Sequence, residues 1–287
     1  MVIQRLPSTG DAPRSTGVPA GLVPGGEGDS AGFPWRGRTF EHHGTAFADD
    51  DGETPEGFGR AVDALRAAAS SRDRDVLAHA AALALQELSE CRVLIPLLAD
   101  AGDLGVTPDG RTVEKTQELS IVTVAAPDGR RVMPVFSSVL AMRTWNPTAR
   151  PIPVPAPQVA LAAAQEETDL IIVDPGSPAR EFGVRRTGLE ALALGGYLVP
   201  AWADPGVLEA FELSVADDPR VESVEVLPGD PDSRLLAPEI DVVLHVAPGL
   251  DREALTELIE RAQHRWAVST PIAQRVDSMR LLPRASV

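Results

Sequence analysis

The chain of 287 residues carries one cysteine, Cys91, one lysine, Lys115, and one tyrosine, and its aromatics amount to 4%. A lone cysteine excludes an internal disulfide framework and any thiolate zinc site built within one chain, and it fits a reducing, cytoplasmic compartment. Long apolar runs are missing too. No stretch approaches about 18 apolar residues without a charge or a proline, so no membrane span is expected. The opening MVIQRLPSTGD lacks a basic segment followed by an apolar one, and no secretory signal is expected there. Nor does the chain hold a G-x-S-x-G elbow, a GxxxxGK[ST] loop, a strand followed by G-x-G-x-x-G, or paired histidines at ligand spacing. No cofactor and no metal is therefore expected.

What is present is acid. The formal net charge is -16 and the pI near 4.7, which repels nucleic acid and anionic lipid on average and disfavours both as partners. Apart from Lys115 every basic residue is arginine, which reads as the codon usage of a GC-rich genome. Hydrophobic residues make up 44%, enough for a core without staples, and the length favours two domains.

Residues 1–55 are rich in glycine and close on Asp49, Asp50, Asp51 and Glu53. Such a segment buries too little apolar area to offset its ordering entropy and reads as a disordered acidic tail. Within it GFPWRGRTF places Phe33, Trp35 and Phe40 among arginines, either as a docking motif or as cover for a groove on the chain's own folded part. From Pro55 the period is helical: Phe58, Val62, Leu65 and Ala69 mark one helix, and Val76 through Leu88 a second with Asp73 or Asp75 near its start. Strands are expected over 92–98, 118–125 and 131–138, with Asp128-Gly129 turning the last two into a hairpin. Ser137 or Ser138 caps a helix VLAMRTW, PIPVPAP (151–157) reads as a stiff extended connector, and a short helix spans 160–166. Strands at 169–175 and 181–186 precede a helix over 187–194 that stops at Gly195-Gly196. The pattern then restarts: a strand YLVPAW (197–202), a helix from Asp204-Pro205, strands over 220–227 and 239–246, a helix from Asp251 and a strand over 274–282. That order, βαββαβ, is the ferredoxin-like signature of a two-layer sandwich. The expected class is α+β, with a mixed-sheet domain over 56–198 and a smaller ferredoxin-like domain over 199–287.

EKTQELSIVTV (114–124), VMPVFSSVLAMRTW (132–145) and DLIIVDPGSP (169–178), in that order, resemble the SseB family, named for enhanced serine sensitivity, and most closely its actinobacterial branch. Val135, Phe136, Ser137, Ser138, Met142 and Trp145 match the family's strand running into a helix that ends in tryptophan. Asp174, Pro175, Gly176 and Ser177 stand where the family has Asn-Pro-Gly-Ser. The resemblance implies an SseB N-terminal domain over 86–198 and the family's smaller C-terminal domain after it. It implies no set of catalytic residues.

Tested singly, the reactive side chains read as inert. Cys91 ends a helix and precedes a strand, whereas a nucleophilic thiolate needs a helix N-terminus. Histidines 42 and 43 lie in the tail, His79 and His264 on polar helix faces, and His245 inside a strand. Ser177 is a turn serine, and paired acids such as Glu114 with Glu118 are frequent by chance among 42 carboxylates. One cluster stands out: Lys115, Gln117 and Glu118 in a polar loop, with Arg143 and Trp145 at the end of the VLAMRTW helix. An exposed Trp–Arg–Lys group has the composition of a protein-binding hot spot; alternatively Trp145 packs under its helix while the charges pair with carboxylates. The expected function is a non-enzymatic adaptor or regulatory protein whose partner is an unknown protein, with self-association compatible. The alternative is a small-molecule sensor or enzyme of serine or sulfur metabolism, marked by a concave pocket where Arg185 and Arg186 meet.

Overall fold

The structure, a computed structural model, describes residues 3–4, 47, 49–71, 73–99, 104–106, 112–114, 119–121, 123–125, 129–166 and 168–286. The chain divides into two units, Leu6–Asp51 and the remainder. Of the first, the described part is a turn in which the Asp50 N–H donates to the Phe47 carbonyl at 3.2 Å. The expected docking residues Phe33, Trp35 and Phe40 lie outside the described residues.

The larger unit is α+β. It begins with β1 (Ile3–Gln4), α1 (Glu56–Ala69) and α2 (Arg74–Ser89). Asp73 caps α2 by accepting from the N–H groups of Asp75 and Val76, each at 3.1 Å, satisfying donors the helix itself leaves open. Phe58, Val62 and Leu65 of α1 are fully buried, and Phe58 meets Phe182 edge-on with centroids 5.9 Å apart. Next come β2 (Arg92–Ala99), β3 (Leu104–Val106), β4 (Thr112–Glu114), β5 (Leu119–Ile121), β6 (Thr123–Ala125), β7 (Arg131–Val135) and α3 (Val139–Trp145). β8 (Arg150–Pro155), α4 (Ala156–Gln165), β9 (Leu170–Val173), β10 (Phe182–Val184) and α5 (Leu189–Leu194) follow. The rest is α6 (Pro205–Val215), β11 (Val221–Pro228), β12 (Ile240–Val246), α7 (Arg252–Val268), α8 (Thr270–Arg275) and β13 (Met279–Ala285).

The largest sheet has the order β1-β6-β7-β9-β10 and is mixed: β7 and β9 are parallel, their neighbours antiparallel. A second sheet is β5-β2-β8, a third β11-β12-β13, and β3 pairs with β4. The second sheet is tied to the first by a bridge in which Leu94 and Phe136 exchange backbone hydrogen bonds at 2.7 and 2.9 Å. A single apolar cluster runs from Phe58 in α1 to Val276 after α8, through α2, β7, β9, β10, α4, α5, α6, β11, β12 and α7.

Four expectations differ from these elements. The strand over 118–125 changes partner midway: β5 joins β2, and β6 joins β7. PIPVPAP is not a free connector, because its first five residues complete β8, which pairs antiparallel with β2 through Ile95 opposite Ile152. YLVPAW forms no strand. Tyr197 and Val199 point to solvent, Pro200 has no N–H to give a ladder, and residues Ala201–Ala203 close a 3₁₀ turn that buries Trp202. The side of β12 that such a first strand would occupy in a ferredoxin-like sheet is taken by β13, which lies parallel to β12 after the α7–α8 crossover. The last strand also starts later than residue 274, since α8 runs to Arg275.

Candidate functional site

The segments VFSS and DPGS leave the carboxyl ends of β7 and β9, neighbouring parallel strands, the place where ligands gather in open α/β sheets. There they lock onto each other. The Asp174 carboxylate accepts from the Ser137 N–H at 2.7 Å and from the Ser137 hydroxyl at 2.5 Å. Because that hydroxyl spends its proton on Asp174, the 2.8 Å bond between it and Thr54 Oγ1 has Thr54 as donor. Arg92 donates to the carbonyl of Ser137 and, at 2.7 Å, to that of Glu53. Ser137 and Asp174 are each 1% exposed. Burial raises the Asp174 pKa against the pull of the Ser137 bonds and of Arg180 and Arg92. Asp174 also holds φ at +50°, a left-handed conformation that Asp tolerates better than most side chains. A hydroxyl shut in with a carboxylate has no path to a substrate; the pair is a latch.

The latch sets α3. Ser138, the next residue, caps the helix by accepting from the Ala141 N–H at 3.2 Å, and the Val139 N–H donates to Gly52 O at 2.8 Å. Trp145 at the other end is half-buried, its ring 5.3 Å from that of Phe136 and packed beside Leu94 and Met142. Trp145 thus lies under its helix rather than outside it. Arg143 is exposed, and Leu140 beside it is 71% exposed. Lys115, Gln117 and Glu118 lie outside the described residues. Leu140 was not singled out by the sequence, though its i, i+3 spacing to Arg143 places both on one helix face.

The two arginines expected to meet in a pocket diverge. Arg185 donates to Asp230 at 2.6 Å, to the Ala237 carbonyl at 2.8 Å, to Ser278 at 3.2 Å and to Asp277 at 3.3 Å. Arg130, the residue before β7, reaches Asp277 at 2.8 Å. Arg186 instead turns to the carbonyls of Ala273 and Val276 at 3.4 and 3.3 Å. Beside Arg185 is a cavity of about 80 Å³ that Phe182, Trp202, Asp230 and Glu239 help to line. Burial pushes the Glu239 carboxyl up to about 7, despite the Asp277 N–H that donates to it at 2.7 Å and the nearby Arg185.

Cys91 donates its S–H to the Glu87 carbonyl at 3.0 Å. Burial, with Glu87 beside it, pushes the thiol up to about 11, far from a nucleophile's range. His245 faces Glu225 at 3.8 Å across the β11–β12 ladder. Among the described residues no three His, Cys, Asp or Glu side chains are grouped to hold a metal ion, and no helix is long and apolar enough to cross a membrane.

The SseB protein N-terminal domain matches residues 62–210, from within α1 to within α6, a wider span than the motifs alone delimit. No curated protein and no solved structure matches the chain. The latch residues Ser137 and Asp174 both fall inside the matched span, which covers half of the chain, and on that ground the protein belongs to the SseB family.

Proposed function

We propose that the protein is a non-enzymatic adaptor or regulatory protein that binds a protein partner through the outer face of α3. The observation that supports this reading is the pairing of an exposed leucine, Leu140, with an exposed arginine, Arg143, on a helix fixed at its start by a buried polar network. Rigid presentation of an apolar and a cationic group is what a hot spot requires, because little side-chain freedom is then lost on binding. Lys115, Gln117 and Glu118 extend this surface in the proposal, and Phe33, Trp35 and Phe40 supply a second contact. Trp145 is the wrong residue to remove as a test, since its ring supports Phe136. Co-purification from the native host with wild type and with Leu140→Asp/Arg143→Glu is the better experiment: a partner recovered by the first and lost by the second supports the reading, and identical recoveries refute it.

A small-molecule sensor or enzyme of serine or sulfur amino-acid metabolism is the second reading, favoured by the cavity beside Arg185. Thermal-shift screening with serine, cysteine and related metabolites tests it, since saturable binding raises the melting temperature by mass action. Within the family assignment, we read 199–287 as the smaller C-terminal SseB domain, related to the ferredoxin-like sandwich but short of its first strand, and we place the chain in the actinobacterial branch and in the cytoplasm.

A further inference from the structure

The packed pair α4 and α5 forms a second candidate surface. Between α4 and α5 lies a groove of about 510 Å³, within the size range of sites that accept ligand or peptide side chains. Its origin is in the sequence. The side of α4 that borders it carries Ala160, Leu161 and Ala164, and alanine methyls leave space a longer side chain would fill. α5 ends after six residues, where Gly195 takes φ at +68°, so no further turn of helix closes the trough. Leu161 and Leu194 remain 54% and 77% exposed on its walls.

Its polar lining is uneven. Asp169 and Glu190 line the groove along with Arg186, but Arg186 donates to the carbonyls of Ala273 and Val276, which leaves the carboxylates the less committed charges. Thr168 also lines it, is 2% exposed, and its hydroxyl has no hydrogen-bond partner. Buried polar atoms left unpaired are rare in folded chains and ask for an explanation. That hydroxyl is closed to solvent as the groove stands, so a group on a docked molecule reaches it only once the side chain turns outward.

We propose that this groove docks an amphipathic helix of a partner protein, one with basic residues flanking a short apolar stripe. Two packed helices offer ridges and a trough that a third helix fills with anchors at i, i+3, i+4 and i+7. The lining carboxylates and the net charge of -16 select for a cationic flank. The inference does not rest on the α3 reading, and each can fail without the other.

The test uses the full chain and a fluorescein-labelled Leu/Lys peptide of about 16 residues, roughly four helical turns, followed by fluorescence anisotropy. A scrambled peptide of the same composition controls for charge alone. The patterned peptide is expected to bind saturably and the scrambled one at least about tenfold more weakly. Leu161→Asp and Leu194→Asp, both at exposed positions and checked for native circular dichroism, are each expected to weaken binding about tenfold. Glu190→Arg weakens it at low salt and less at high salt. Equal binding of the two peptides, or unchanged binding by both leucine variants, overturns the proposal. So does a concentration-dependent dimer in sedimentation that Leu194→Asp abolishes, which assigns the groove to a second copy. Leu140→Asp/Arg143→Glu is expected to leave peptide binding unchanged; loss in that variant alone moves the peptide to α3.

Discussion

Ser137 gives both of its donors to one acceptor, the carboxylate of Asp174, although 37 residues separate them in sequence. The pair fastens the end of β7 to the end of β9. Ser137→Ala removes the hydroxyl donor from a buried carboxylate and leaves the Thr54 hydroxyl without its acceptor. A loss of about 2 kcal/mol of unfolding free energy is expected, measured by urea denaturation. A loss below about 0.5 kcal/mol, typical of surface changes, would deny the pair its role as a latch.

Glu239 makes stability depend on pH in a defined window. Arg185 and Asp277 face it directly, and Asp230 and Arg130 complete the charged group around them. Its folded-state pKa, about 7, lies above the ordinary 4.5. The folded protein therefore holds this proton more tightly than the unfolded chain. The resulting stabilisation is full below 4.5 and is lost as the pH rises through 7. The contribution is of the order of 3 kcal/mol. Glu239→Gln cannot titrate, so unfolding free energies of the variant measured across this window should lack that decline. Parallel curves for the two proteins would refute the assignment.

Arg185 is 10% exposed and bonded to two carboxylates that are themselves 5% and 2% exposed. Removing one partner of a buried ion pair strands the other, at a cost of about 3–5 kcal/mol. Arg185→Ala should destabilise by that amount in chemical denaturation. Arg185→Lys should recover little, because a single ammonium cannot span Asp230 and Asp277 as the two guanidinium nitrogens do.

Cys91 should be nearly silent toward alkylation. With its thiol near 11 rather than 9, the thiolate fraction at pH 8 falls about a hundredfold. Iodoacetamide labelling of native protein should proceed far more slowly than labelling in urea, and it should accelerate as the pH is raised. Equal rates in both states would contradict the buried environment.

Much of this architecture was legible because local signals carried it. The VLAMRTW helix, its Ser138 cap and the Gly195 stop are all set by residues within one turn of the feature. The failures have a common cause, which is that partner choice is non-local. Nothing in LSIVTVA says that Leu119–Ile121 and Thr123–Ala125 join different sheets, and nothing in YLVPAW says that β13 holds the position beside β12. The site followed the same rule. Arg143 was legible as an exposed helix cation, but Trp145 turned inward to Phe136, and Leu140 gained its interest only from its exposure. The Ser137–Asp174 bond was invisible because it needs β7 and β9 side by side, although both residues stood in the motifs that carry the family resemblance.

The prolines of β8 have a consequence for self-association. Among the described residues β8 has β2 as its one neighbour in the sheet, and Pro151, Pro153 and Pro155 alternate with the residues between them. Alternate residues of a strand aim their backbone groups to the same side, and proline has no N–H to offer. With the ladder to β2 formed, the outer rim of β8 is left with carbonyls and no donors at the proline positions. A second sheet cannot zip onto a rim of that kind. The strand caps this edge of its sheet against edge-to-edge aggregation, so copies of this chain that associate must do so elsewhere than along β8.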